Sequence, residues 1–511
     1  MSIVAAAALT GISSFADTSA TTTSSTVVES SAMATSSATK ATPPKTKKHQ
    51  AAKKQSYSDA HYRHLEREVH ALQQQVSMLR TGEPREVGNP NNVIYAHGPA
   101  VVSSPYVNLE YGADYGGSDL LINLPSINKD QWLLQLRKQI YDCYCKYGFE
   151  GPNRPLVALS GKIGVDAMEQ KDFDKHNKSD IDLDSAELEA VAEVNPWVTG
   201  LVKLKYSTLE NDTGSNADNN KFTVSEAFIT IGNLDKTNLY TSFGQMYIPF
   251  TFDNSLTVTD TLVNTIGKTK EQPLIVGFTD YYGFYGSLYA FKGETYVSNP
   301  NIVNNWGADV GYRKAHDKSY IDAGVAYMDN LADSLGMQST PNAAETTPEN
   351  NFSGFGDGYK LMERVHAVDG HFLLGLGETP KWSMYNPWTF IAEYVGATGT
   401  FDENDMMFDG SGAKPQAVDF QAGYNFLAFD KPSFVAIGYD HSWDALALNL
   451  PQQSYFLTVG ANFFKDTLAR LEYRHDVNYD SSDYASAGGE SVFNAGSSDR
   501  DTITANFEIY F

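Results

Sequence analysis

The sequence predicts an all-β fold, a transmembrane antiparallel β-barrel of about sixteen strands preceded by a helical coiled-coil segment. Three observations carry that expectation: a terminal strand that alternates to its last residue, long connections that alternate with short ones, and charge confined to one face of each strand. In Asp501 to Phe511, Ile503, Ala505, Phe507, Ile509 and Phe511 fall on one side of an extended chain. Thr502, Thr504, Asn506, Glu508 and Tyr510 fall on the other. Period-two alternation is the strand signature. An aromatic end on the apolar face suits the closing strand of a bacterial outer-membrane barrel, where outward side chains meet lipid. Taken alone, the stretch also fits an edge strand of a soluble sandwich, so repetition upstream has to decide.

That repetition begins at Leu156. Trp306, Ala308, Val310 and Tyr312 oppose Asp309, Gly311 and Arg313; Ile321, Ala323, Val325 and Tyr327 oppose Asp322 and Gly324. Fifteen such segments run from 157–167 to 501–511. Bacterial barrels have short periplasmic turns, long outer loops and an even strand number. Counted back from the C-terminus, Val477–Arg500 is long, Phe464–Asp466 short, Ser442–Gln452 longer and Leu427–Pro432 short. Counted forward, Met168–Ser185 is long, Pro196 tight, Leu209–Lys221 long and Asn233–Thr237 short. The two counts agree only if one more strand hides between 248 and 280, and Pro273 to Phe278 is the best candidate. About sixteen strands would leave an aqueous channel.

Composition sets the outer limits. The chain has 511 residues and a formal net charge of −24, which argues against nucleic acid as a partner. Mean hydropathy is negative, a test that misses barrels because lumen and lipid residues average out. Cys143 and Cys145 are the only cysteines. They have no neighbouring ligands to complete a zinc site, and free thiols or an intermolecular disulfide remain equal alternatives. Asp180, Asp182 and Asp184, with Glu187, lack the spacing of a calcium loop, so neither metal nor cofactor is expected.

The N-terminal part divides by composition. Residues 1–16 read as a signal peptide ending in Ser14-Phe15-Ala16, without a basic start, and 17–55 as a disordered linker. Over 56–81, Tyr62, Leu65, Val69, Leu72, Val76 and Leu79 repeat at three-and-four spacing, the seam of a coiled coil that would join copies of the chain. Valine and leucine at these positions favour two strands, whereas a barrel of this kind favours a trimer. A helix lying on its own chain is the plainer alternative. Residues 82–155 are expected to form a periplasmic neck or a plug, with a short amphipathic helix over Trp132–Tyr144.

If the apolar face meets lipid, the other face lines the lumen. That set comprises Glu187, Glu189, Glu193, Lys203, Lys205, Asp309, Arg313, Asp322, Glu393 and Asp419, with a ladder of Arg470, Glu472, Arg474 and Asp476. Charge is costly on a lipid face at mid-bilayer, so a ladder of this kind belongs inside. There it either selects solutes by its field or pairs with itself and stiffens the wall.

Residues 225–254, SEAFITIGNLDKTNLYTSFGQMYIPFTFDN, resemble the phosphate-selective porin family through Gly244-Gln245-Met246-Tyr247-Ile248-Pro249-Phe250. The resemblance implies a passive outer-membrane channel whose next stretch folds inward and constricts it. The whole chain, with its coiled coil followed by SDLLINLPSIN (118–128), also resembles an uncharacterised family of Gram-negative outer-membrane proteins. Phosphate porins line their channel with Lys and Arg. No such cluster is visible along this sequence, so the expected channel is not anion-selective and admits cations or neutral solutes. Outer-membrane lipid and lipopolysaccharide are the expected surroundings, with the N-terminal segment in the periplasm.

Two rival classes stand beside this reading. Asp440-His441-Ser442 and His475-Asp476 invite an enzyme, but neighbours in a strand point to opposite faces and do not converge, so none is expected. A structural or adhesive anchor, tied to the periplasm by the coiled coil, would conduct nothing.

Overall fold

A computed structural model describes residues 126–511 apart from 147–155, 174, 207–221, 317, 339–353, 357, 379–385, 465–466, 490–491 and 497–498. Backbone alone is described at 93–94, 100–103, 139–146 and 156. The signal peptide, linker and coiled-coil seam, with Tyr62, Leu65, Val69, Leu72, Val76 and Leu79, lie outside the described residues.

Sixteen antiparallel strands close into a barrel. They are β1 (Leu156–Lys171), β2 (Asn177–Asn195), β3 (Val198–Tyr206), β4 (Phe222–Gly232), β5 (Leu239–Tyr247), β6 (Leu274–Thr279), β7 (Phe284–Phe291) and β8 (Asn305–His316). Then follow β9 (Ser319–Met328), β10 (Ala367–Leu376), β11 (Trp388–Ala397), β12 (Gln416–Ala428), β13 (Lys431–Trp443), β14 (Gln453–Ala461), β15 (Thr467–Val477) and β16 (Arg500–Tyr510). The strand expected between 248 and 280 is β6, pairing β5 on one side and β7 on the other. A helix, α1 (Lys129–Lys146), precedes the wall, and a short helix, α2 (Leu262–Gly267), lies in the connection between β5 and β6.

Closure is made by β16 against β1, in register from Asp501↔Lys171 to Tyr510↔Lys162. Phe511 adds one rung, exchanging backbone hydrogen bonds of 2.7 and 3.0 Å with Gly161. Its ring covers Gly161 so closely that a Cβ there would stand 2.3 Å from Phe511 Cζ. A larger residue at 161 would therefore have to displace the ring of Phe511.

Burial separates the faces as a membrane barrel requires. Val310 and Val325, paired across β8 and β9, are 50% and 58% exposed on the outside, whereas Glu472 and Asp476 are 1% and 0% exposed within. Aromatic side chains collect outside at both ends of the wall: Trp388 stacks near Tyr424 at the end with short turns (4.5 Å), and Trp306 near Tyr327 at the end with long loops (5.2 Å). One two-residue turn, Phe429-Asp430, has φ of 52° and 61°, the mirror-image geometry that matches strand twist in a hairpin.

One expectation about connections fails. Met168–Ser185 is not a long loop. β1 and β2 pair beyond it to Lys171↔Asn177, leaving a turn at Asp172–His176. Asp180 and Ile181 are both exposed there. Beyond the lipid both faces of a hairpin meet water, so the alternation that marks a strand in sequence is lost. The long connections after β11 and β15 are also structured, for Met406–Phe408 pairs with Tyr484–Ala487.

Candidate functional site, a loop pinned across the barrel lumen

The resemblance motif ends β5 and launches the chain inward. Gly244 has φ of 133°, and a Cβ on it would meet the Ala227 carbonyl at 2.3 Å, so only glycine fits. Gln245 reaches back to β4, donating to the carbonyls of Val224 (2.9 Å) and Ser225 (3.2 Å) where the β3–β4 register slips. Ile248 and Phe250 are fully buried, and Thr251 and Asp253 take positive φ, turning the backbone off the wall.

Residues 248–273 then cross to the far wall. The N–H of Phe252 donates to Glu393 (2.7 Å), that of Leu256 to Gln421 (2.6 Å) and that of Leu262 to Asp440 (3.0 Å). Glu472 accepts from Val258 and Thr259. Four wall strands, β11, β12, β13 and β15, thus hold one loop by accepting its backbone donors. Glu393, Asp419 and Asp440 stand directly opposite one another across β11, β12 and β13. Like charges in that position repel; the loop donors offset part of that repulsion at Glu393 and Asp440. Phe252 stacks on His371 at 4.3 Å and buries against Leu373 and Ile391, adding apolar contact.

On the returning leg, Lys268 binds Asp253 at 2.7 Å. Burial opposes its charge, but Asp253 and Asp260 more than offset this and hold its ammonium above the ordinary lysine value. Lys270 goes the other way. Burial foremost, with repulsion from Lys205, Lys268 and Lys203 against attraction by Glu226, holds it below that value. Lys162, Lys203 and Lys205 surround Glu187, Lys203 at 2.8 Å and Lys205 at 3.5 Å. The fold therefore gathers five lysines on β1, β3 and the loop, a group that sequence order disperses over more than a hundred residues.

The fourteen charged residues expected on the inner face are buried or half-buried, with different partners. Glu189 belongs to α1 through Lys129, and Glu193 lies buried nearer the turn end. Asp309 accepts from Ser287, and Arg313 pairs with Asp322 at 2.6 Å. Asp419 accepts from Gln421, Arg474 pairs with Asp476, and Asp476 also with Arg500. Arg470 binds Glu508 at 2.7 Å and the Thr257 carbonyl. Lys205 keeps 32% of its side chain exposed and Arg470 18%, so solvent reaches the wall beside the loop. Sequence reading missed Lys162 and Glu226, and left Asp440 and Glu508, both named there, out of the inner charges. All sit on the inward parity of their strands, which the alternation rule alone would have found.

Asp440 and Ser442 share the inner face and His441 points outward, so the three do not converge. Asp440 turns in to the loop, His441 outward against Trp443 (4.3 Å), and Ser442 bonds the Pro451 carbonyl and Tyr479. His475 pairs with Asp501 at 2.8 Å. No helix among the described residues is long and apolar enough to cross a membrane, which says nothing of a barrel.

No protein-family model matches the chain. It is 32% identical over 457 residues to a UPF0422 protein of Legionella pneumophila (strain Lens), covering 87% of this chain and 83% of that one. The chain belongs to the UPF0422 family. A second UPF0422 protein, from Coxiella burnetii, is 32% identical over 464 residues, covering 88% and 93%. Among solved structures, the outer membrane channel DcaP of Acinetobacter baumannii superposes with a TM-score of 0.43 at 14% identity, covering 71% of this chain and 99% of that one. An anion-selective porin from Comamonas acidovorans gives 0.46 at 11%, covering 70% and 100%.

Proposed function

We propose that this UPF0422 protein is an outer-membrane porin, a passive diffusion channel for small hydrophilic solutes or ions, without catalytic activity. One observation carries the reading. A loop crosses the interior of a closed sixteen-strand wall, pinned by wall carboxylates, while charged side chains beside it stay in contact with solvent. A structural anchor has no use for such a constriction, and water-facing charge inside a lipid-facing wall suits solute passage. The fourteen inward charges line the pore and buttress the loop, apart from Glu189 and Arg313, which also hold α1. Lipid and lipopolysaccharide cover the outer face, the turn end faces the periplasm with the N-terminal segment, and the assembly is a homo-oligomer, with a trimer favoured.

Selectivity has two readings. The sequence, with its excess of acid, favours cations or neutral solutes; the five lysines beside the loop favour anions. Purified protein in a planar bilayer tests both, with conductance steps for the channel and the sign of the reversal potential across a salt gradient for selectivity. A silent bilayer, with binding to isolated cell wall, would replace the channel by the anchor.

A further inference from the structure

We infer that the segment Ile127–Lys138 is a movable plug for the periplasmic half of the barrel, an inference that rests on the channel reading. Its leading end is sunk among inward side chains: Lys129 is 1% exposed, with its ammonium on Glu189 of β2 at 2.8 Å and Glu226 of β4 at 3.3 Å. Burial works against that charge, and the two carboxylates more than offset it, holding the ammonium above the ordinary lysine value. Farther along, Arg137 donates to Thr199 and the Gly232 carbonyl, and Lys138 reaches Asp235 in the turn after β4. On the far side Arg313 of β8 lies 3.9 Å over Trp132 and donates to Gln131. The first three turns of α1 therefore span the interior from β2 to β8.

The wall beneath is built for a resident. Water-filled lumens are lined by polar side chains, yet Leu201, Phe228 and Tyr240 point inward, are buried, and form one cluster with Leu133 and Leu134. They are dry because the helix covers them. The latch, in contrast, is ionic. A buried ion pair gives back most of its attraction as lost hydration, and pulling Lys129 away from two carboxylates that water then reaches restores that hydration. An apolar seat with a hydratable latch suits a part that leaves and returns. Its outer end lies beside a turn, so withdrawal toward the periplasm breaks the exposed Lys138–Asp235 pair first.

Asp130 lies beside Ser242 on β5, which places a cross-link. Asp130→Cys and Ser242→Cys, introduced in the full chain with Cys143→Ser and Cys145→Ser, should form a disulfide, and folding is checked by the heat-dependent gel shift of intact barrels. Oxidised protein is expected to show only small conductance steps, and reduction to add steps at least twofold larger. Lys129→Ala, without the cross-link, should show the larger steps more often. Failure of the disulfide to form in a folded barrel, or identical traces before and after reduction in a conducting protein, would overturn the plug and leave the channel standing. If neither the reduced protein nor a variant lacking residues 126–138 conducts, the channel reading falls and takes the plug with it.

Discussion

Glu472 accepts twice from Thr259, from its backbone N–H at 3.2 Å and from its hydroxyl at 2.6 Å, joining β15 to a loop more than two hundred residues earlier. The same carboxylate accepts from Thr458 on β14. Glu472→Ala removes a charged acceptor from several donors at once. A hydrogen bond to a charged group contributes about 1.5–3 kcal/mol, so the variant should unfold at lower temperature. Its single-channel current should be noisier, because the loop is loosened at one of four attachments.

The seam offers a steric test. Gly161→Val places a side chain inside the ring of Phe511. The ring is the far end of a half-exposed terminal side chain, so it is pushed aside rather than overpacked, and the rung that closes the barrel loses its cover. The expected result is slower conversion to the compact, heat-modifiable form on gels. Phe511→Ala should restore much of the Gly161→Val defect.

Val310 faces outward at mid-strand, opposite Val325. Val310→Arg should destabilise the protein in lipid vesicles by about 2–4 kcal/mol, as expected of arginine on a lipid face. An arginine at Lys205, inward and with 32% of its side chain exposed, should cost less. Denaturant titrations of the two variants in the same vesicles rank them.

Glu271, on the returning leg of the loop, is pushed up from the ordinary 4.5 to about 8, by burial first and then by Glu294 and Asp333. Between those values the folded protein holds a proton that the unfolded chain has released. Stability linked to this group is complete below pH 4.5 and declines as pH rises through about 8, because the folded state binds the extra proton. Melting temperature in detergent should therefore fall from pH 5 to pH 9. Glu271→Gln, neutral throughout, should flatten that slope.

Lys203 and Lys205 meet one carboxylate, Glu187, with Lys162 and Lys270 close by. Replacing both with glutamate reverses the field beside the loop without touching its attachments. The reversal potential should move toward cation selectivity, most at low ionic strength where screening is weakest. An unchanged potential would mean that solutes do not pass this group.

The barrel was legible in the sequence because its physics is local. A strand between lipid and water must alternate, so Leu471 and Tyr473 announce one face and Arg470 and Glu472 the other. Short and long connections then fix the strand count, and even β6, hidden in the long connection after β5, followed from parity. Where both faces meet water, as in the arm around Asp180, the pattern vanished and the boundary was misplaced.

The interior was decided only by tertiary structure. Nothing local tells Glu472 that it will receive Thr259, or tells Leu201 and Phe228, inward yet apolar, that Leu133 and Leu134 will cover them. The lysine group exists only once β1, β3 and the loop are neighbours. Closing a sheet brings distant strands within hydrogen-bonding reach, and whether a buried charge is paired, hydrated or covered depends on which segments arrive there. Sequence determined which side of the wall each residue faces, and the fold determined what each inward residue meets.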